Sequence, residues 1–250
     1  MPLASAVFQQ VRGRPTAGAL LDALPMRVRL PDGRARVLPF RLWRLARIWG
    51  SFPALRAESE TALAAYPGGD VIDVGAFEGW YSVLLAAKSR PGDTLLSVEP
   101  DPAAFPELQS TLAAAARAFP GRTFQPLQSP AGNGQPVTVS HPPGGHPQFA
   151  AAAGGEGTPT TAIDALVDAF GLRPTLVKID VEGAELFVLQ GMQRTLHEHR
   201  PAVLLELHHT WQPAGVSPAD VEELLRRNRY SSRELERTDV NIRQLWTPDA

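Results

Sequence analysis

From Asp70 onward the chain repeats one rhythm, a short apolar run, a turn, then a longer amphipathic stretch, and this limits its fold more than any other feature. DVIDV reads as a buried strand and Trp80 to Lys88 as a helix. TLLSVEP and AAFPELQSTLAAAARAF repeat the pair, and RTFQPLQ is a third strand. Further on, TTAIDALVDAFG predicts a capped helix stopped by Gly171, TLVKID a strand, GAELFVLQGMQRTLHEH one helix and AVLLELHH another strand. Parallel sheets produce this alternation because each crossover helix must cover a sheet face that water would otherwise touch. SPADVEELLRRN adds a helix with Ser217 as N-cap and Pro218 at its first position, and two antiparallel strands, YSSRELE and VNIRQLW, follow. The expected class is α/β with a mostly parallel sheet.

Two segments depart from the rhythm. Residues 1 to 25 are Ala-rich with a weak helical pattern. MRVRLPDGRARVLPF, residues 26 to 40, predicts a hairpin turning at Pro31-Asp32-Gly33, and LWRLARIWG and ALRAESETALAAY predict helices. Residues 1–68 are therefore read as a hairpin and helical cap, part of the same unit as residues 69–250 and covering one side of it or its substrate mouth. Residues 130–160, rich in Gly and Pro, read as an outer hairpin or mobile excursion, since the α/β rhythm resumes afterwards. His141 and His146 within it suit a solvent-facing or lid role.

Composition removes several function classes. With 24 Lys+Arg against 26 Asp+Glu, no global positive field exists to collect nucleic acid or anionic lipid. The absence of cysteine excludes disulfides, thiolate catalysis, zinc-thiolate sites and iron-sulfur clusters, leaving carboxylates, imidazoles, hydroxyls or a borrowed reagent. No segment has the apolar length to cross a membrane, so a cytoplasmic protein is expected. The N-terminal hairpin makes a homodimer a reasonable expectation.

The turn after DVIDV carries carboxylates among its glycines: Asp73-x-Gly75-x-x-x-Gly79, with Glu78 at the helix entrance. A dinucleotide loop wants three glycines and a helix N-terminus free for a pyrophosphate, which acids would repel. They suit S-adenosylmethionine, which carries an ammonium and a sulfonium but no phosphate. Glu99 ends the next strand, 24 residues after Gly75, where a carboxylate can accept both hydroxyls of a ribose. Phe77 and Tyr81 join the candidate set, Tyr81 towards the methionine portion, although aromatics at a helix start also pack on neighbouring loops. Structural roles compete at each position: the glycines permit a tight turn, Asp73 caps a helix, Glu99 is a loop acid. A nicotinamide-dependent oxidoreductase and a catalytically silent scaffold are the rival functions.

VIDVGAFEGWYS, VEPDPAAFPELQ and above all TPTTAIDALVDAFGLRPTLVKIDVEGAELFVLQGM followed by AVLLELH resemble the FkbM-type family of S-adenosylmethionine-dependent methyltransferases. The resemblance covers residues 70 to about 210, and its most specific part is Lys178 to Gly191. It implies a Rossmann-like seven-stranded, mostly parallel sheet, the class I methyltransferase fold. It also implies cofactor contacts at Asp73, Gly75, Gly79 and Glu99, and a turn around Gln128 and Ser129 near the adenine. Asp180, Glu182 and Gly183 would face the region of methyl transfer, and the acceptor would be a hydroxyl on a secondary metabolite or saccharide-like compound. Phe77 departs from the pattern, in which asparagine is common at that place in the loop.

In the strand order the resemblance supplies, Asp180, Glu182, Glu206, His208 and His209 gather along one rim. The period of two puts Glu206 and His208 on one face of their strand and His209 on the other. Asp180, Glu182, Glu206 and His208 are the catalytic candidates, as a base that activates the acceptor hydroxyl. A divalent metal held by Asp180, Glu206 and His208 is weighed and ranked below a metal-free base. Pairing with Lys178 and helix capping account equally for the two acids, and the helix dipole accounts for His197 and His199.

Overall fold

The structure, a computed structural model, describes residues 24–29, 35–49, 51, 53–140, 148–151, 157–213 and 215–250. The expected turn at Pro31-Asp32-Gly33 lies outside the described residues, as do His141 and His146. A hairpin of β1 (Pro25–Arg29) and β2 (Ala35–Pro39) leads into α1 (Phe40–Trp49) and α2 (Pro53–Ala65). Then follow β3 (Asp70–Val74), α3 (Trp80–Ala86), β4 (Thr94–Val98), α4 (Phe105–Ala118) and β5 (Thr123–Leu127). In the Gly/Pro-rich excursion β6 (Val137–Ser140) and β7 (Gln148–Ala151) make a separate two-stranded sheet. Next come α5 (Ile163–Phe170), β8 (Pro174–Ile179), α6 (Glu185–Gln190), α7 (Gln193–Glu198) and β9 (Ala202–Leu207). The chain ends with α8 (Pro218–Arg227), β10 (Tyr230–Arg237) and β11 (Ile242–Pro248).

Seven strands form one sheet in the order β10-β11-β9-β8-β3-β4-β5. The five from β9 to β5 are parallel, and β11 runs antiparallel to β9 and to β10. The chain leaves β3 in one direction through β4 and returns to its other side with β8, so the crevice at their carboxyl ends is where an open α/β sheet binds ligands. Pro126 has no N–H for the ladder and sits in β5, at the sheet edge where the loss is tolerated.

Strand periodicity divides the core into two layers. Ile72, Val74, Leu96, Val98, Val177, Ile179, Val203 and Leu205 pack on one face with residues of α5, α7 and α8, such as Leu166, Leu196, Val221 and Leu225. Val71, Leu95, Leu176 and Leu204 pack on the other with Leu42 and Leu45 of α1, Leu63 of α2 and the helices α3 and α4. The N-terminal helices thus cover a sheet face.

Three local expectations change. The single helix expected over 183–199 is two, because the chain breaks at Gly191-Met192. A Cβ on Gly191 would lie 1.9 Å from the Gly132 carbonyl oxygen, so the turn before α7 exists to let another backbone pass. The helix over Ile163–Phe170 ends at Gly171 in the left-handed conformation, but its N-cap, Ala162, offers no side-chain bond. Its Asp164 instead caps α7, taking the Thr195 amide at 2.8 Å and the Arg194 amide at 3.0 Å. Finally, β9 stops at Leu207, so both histidines lie beyond the ladder.

Candidate active site

The turn after β3 is pinned to its neighbours by backbone. The amides of Gly75 and Ala76 donate to the Val98 carbonyl at 2.9 and 3.1 Å, so the loop is laid across the end of β4. Gly75 (φ 72°) has no space for a side chain, since a Cβ would meet the Asp180 carbonyl oxygen at 1.7 Å. Phe77 also holds positive φ, 47°, and the residue is 53% exposed.

Glu99, 6% exposed, reaches back to this loop. Its Oε2 accepts the Phe77 amide at 2.7 Å and its Oε1 the Asp101 amide at 2.9 Å. Burial pushes its pKa up, opposed by those two amides and by Lys178. Each oxygen keeps a lone pair beyond the one engaged, so the carboxylate can still accept from a ligand at the mouth. Gln128 is exposed beyond β5, and Ser129 shares a hydrogen bond of 2.8 Å with Thr161.

Asp73 is 1% exposed and lies beneath the loop. Its Oδ2 accepts the Ser82 amide at 3.1 Å and hydroxyl at 2.8 Å, and Lys178 Nζ lies 3.8 Å from its Oδ1. Burial raises its pKa against the pull of Lys178 and Ser82. Lys178, also buried, donates to the Gly75 carbonyl at 2.7 Å and to Asp180 Oδ2 at 3.2 Å. Burial would lower its pKa, but Asp180, Asp73 and Glu206 outweigh that and raise it, so the lysine remains a cation. Tyr81 packs below, its ring 5.5 Å from the same ammonium, and Glu78 pairs with Arg44 at 3.4 Å.

At the ends of β8 and β9 the structure brings Asp180, Glu182 and His208 together. Glu182 (φ 55°) and Gly183 (φ 104°) make a tight left-handed turn, and a Cβ on Gly183 would strike the Trp211 carbonyl oxygen at 2.3 Å. Backbone strain of this kind concentrates at functional sites. His208, 3% exposed, stacks on Trp211 with ring centroids 4.9 Å apart and planes 7° from parallel. Its Nδ1 is 2.8 Å from Oε1 of Glu185, which has no solvent exposure. Its Nε2 is 3.8 Å from Asp180, 3.6 Å from Glu182 and 3.8 Å from Glu206. Burial alone would depress the imidazole pKa, but Glu185, Asp180 and Glu182 push it up to about 9. With no ion bound, the ring therefore carries a proton at neutral pH, and a base role would first require its removal. His209 turns the other way, 3.2 Å from the Thr238 carbonyl.

Glu206 faces a different set of partners. It accepts from Asn241 and from Arg243, whose Nε and Nη2 lie 3.1 and 3.0 Å from its oxygens. Arg243 also contacts Glu236, and its Nε lies 3.0 Å from Glu58 Oε2, a close charge contact without hydrogen-bond alignment. Sequence reasoning missed Glu185, Arg243 and Glu58. Glu185 had one available signal, an acid opening the otherwise apolar run LFVL. Arg243 lies 37 positions beyond Glu206, and Glu58 comes from the N-terminal helices, more than a hundred positions before the rim.

Residues 73–232 match the family described as Methyltransferase FkbM domain. Over 60 residues the chain is 43% identical to the hexuronic acid methyltransferase AglP of Haloferax volcanii, a match spanning 24% of this chain and 23% of that protein. The crystal structure of a methyltransferase FkbM from Methylobacillus flagellatus KT superposes with a TM-score of 0.52 at 18% identity, covering 83% of this chain and 58% of that one. The chain therefore spans under a quarter of the first relative and little more than half of the second, and the likeness to the second concerns the fold.

Proposed function

The chain belongs to the FkbM methyltransferase family, and from that premise we propose that it methylates a hydroxyl of a small saccharide-like or secondary-metabolite acceptor, using S-adenosylmethionine. The observation that carries this reading is the adjacency of two groups at the carboxyl ends of the central strands: Glu99 with the Gly75–Gly79 turn, and the acid-imidazole rim of Asp180, Glu182 and His208, joined where Gly75 meets the Asp180 backbone and Lys178 bonds both. Acids predominate there, and the buried lysine is already bound to Asp180 and the Gly75 carbonyl. Such a field disfavours a diphosphate and suits a cationic, phosphate-free donor.

The donor, when bound, supplies a sulfonium methyl: the acceptor oxygen bonds to that carbon as the carbon-sulfur bond breaks, giving a methyl ether and S-adenosylhomocysteine. The chain's own residues supply position and proton transfer. Glu99 accepts the ribose hydroxyls on its remaining lone pairs. The glycine turn lets the backbone approach the ligand, and Asp73 with Lys178 holds that turn from below. Asp180 or Glu182 receives the acceptor's proton, since both carboxylates reach the rim while His208 is already protonated. The saccharide-like class draws support from the partial likeness to a hexuronic acid methyltransferase.

Calorimetric titration with S-adenosylmethionine, and with NAD as the contrast, tests the donor. Binding of the first alone is expected. Glu99→Ala should weaken it by about 1–3 kcal/mol in a protein with unchanged circular dichroism, and undiminished affinity would remove Glu99 from the role. Methyl incorporation into a panel of uronic acids and their glycosides then tests the acceptor.

A further inference from the structure

His208 is held as a metal ligand is held. Its Nδ1 is 2.8 Å from buried Glu185, whose Oε1 also accepts the Gly183 amide at 3.0 Å and whose Oε2 accepts from Gln212 at 2.7 Å. Trp211 covers one ring face. A carboxylate on one ring nitrogen fixes the tautomer and aims the other, the arrangement usual behind metal-bound histidines.

The aimed nitrogen, Nε2, has no hydrogen-bond partner among the described residues. Asp180 Oδ1 and Glu182 Oε2 stand 3.8 and 3.6 Å from it. An imidazolium paired directly with a carboxylate would close to about 2.7–2.9 Å, as this ring does on its other side. Two ligands each about 2.1 Å from a shared cation lie roughly 3 to 3.8 Å apart for bond angles of about 90 to 130 degrees. One ligand atom from each of Asp180, Glu182 and His208 falls within 4.8 Å of the others. The other Asp180 oxygen is taken by Lys178, and Glu206 is engaged by Arg243 and Asn241, so the set is these three.

We propose that Asp180, Glu182 and His208 bind one first-row divalent cation of the Mn2+ kind, with Glu185 as the positioning residue. Two carboxylates and an imidazole suit such an ion, and three protein ligands leave open positions for water or a hydroxyl. The sequence alone ranks a metal-free base first; the spacing around Nε2 reverses that order. On the methyltransferase reading, on which this role rests, the cation displaces the proton from His208 Nε2, takes up Asp180 and Glu182 in place of the base role either would have without it, and lowers the pKa of the acceptor hydroxyl so that its proton passes to water.

The test is titration of the full chain with Mn2+, followed by the loss of the free-ion electron paramagnetic resonance signal. About one ion per chain should bind. Replacing a ligand, in Glu182→Gln and His208→Gln, should cost at least about tenfold in affinity, and Glu185→Gln about 10- to 100-fold. Glu222→Gln on α8 should change nothing. Glu182 is a quarter exposed at its side chain, so its variant should fold even if the buried substitutions do not. No binding at millimolar Mn2+, or unchanged affinity in folded Glu182→Gln, overturns the site. Calorimetry with S-adenosylmethionine, run without Mn2+, separates the failures: Mn2+ binding without donor binding sinks the methyltransferase reading alone, and donor binding without Mn2+ binding sinks the metal site alone.

Discussion

Phe77 occupies a backbone conformation that suits asparagine far better than an aromatic residue. At φ 47° its Cβ crowds the following peptide, while its exposed ring recovers little energy from packing. The amide that donates to Glu99 belongs to the backbone and survives substitution. Phe77→Asn should therefore raise stability by about 0.5–1 kcal/mol, seen as a higher urea midpoint at unchanged slope; a lower midpoint would show that the ring carries a contact of its own. Glu99 could be read in the sequence because strand, turn and acid fall at a regular distance. Glu185 could not, because its significance arises only when β9 delivers His208 to it across the turn at Gly183.

At the scale of elements, strands and helices were legible wherever one face meets the core and the other meets water or a helix, as in DVIDV and SPADVEELLRRN. The division of α6 from α7 was not. Its cause is the Gly132 carbonyl, fifty-nine positions upstream, lying against Gly191. The φ of Gly191 is −81°, which any residue adopts, so only the close approach demands glycine. Gly191→Ala should cost roughly 2–4 kcal/mol in chemical denaturation. A loss below about 0.5 kcal/mol would mean that the loop at Gly132 yields freely. The swapped cap has the same origin: Asp164 opens one helix in sequence and terminates the donors of another in space.

Across the whole molecule, one guanidinium joins the N-terminal helices to the far side of the sheet. Arg243 of β11 faces Glu58 of α2, Glu206 of β9 and Glu236 of β10, a single cation among three acids. Burial pushes Glu58 up to about 7 despite Arg243, helped by Glu206 and Asp180. The folded pKa exceeds the unfolded one, so this contribution is fully present below about pH 4.5 and is lost as pH rises through about 7. Glu58→Gln should flatten the fall in stability between those values, by on the order of 1–3 kcal/mol; an unaltered profile of melting temperature against pH would assign the dependence elsewhere.

β11 also sits between β9 and β10, and its last residue is Pro248. The family match, however, runs from residue 73, inside β3, to residue 232, inside β10. A gene trimmed to those borders would encode a sheet with an inner strand missing, leaving the backbone of β9 open to pairing with other molecules and one apolar face stripped of α1 and α2. Such a fragment should collect in inclusion bodies while the full chain stays in the supernatant. The stretch that carries the family likeness thus begins and ends inside strands of the one sheet and leaves out a strand between its own.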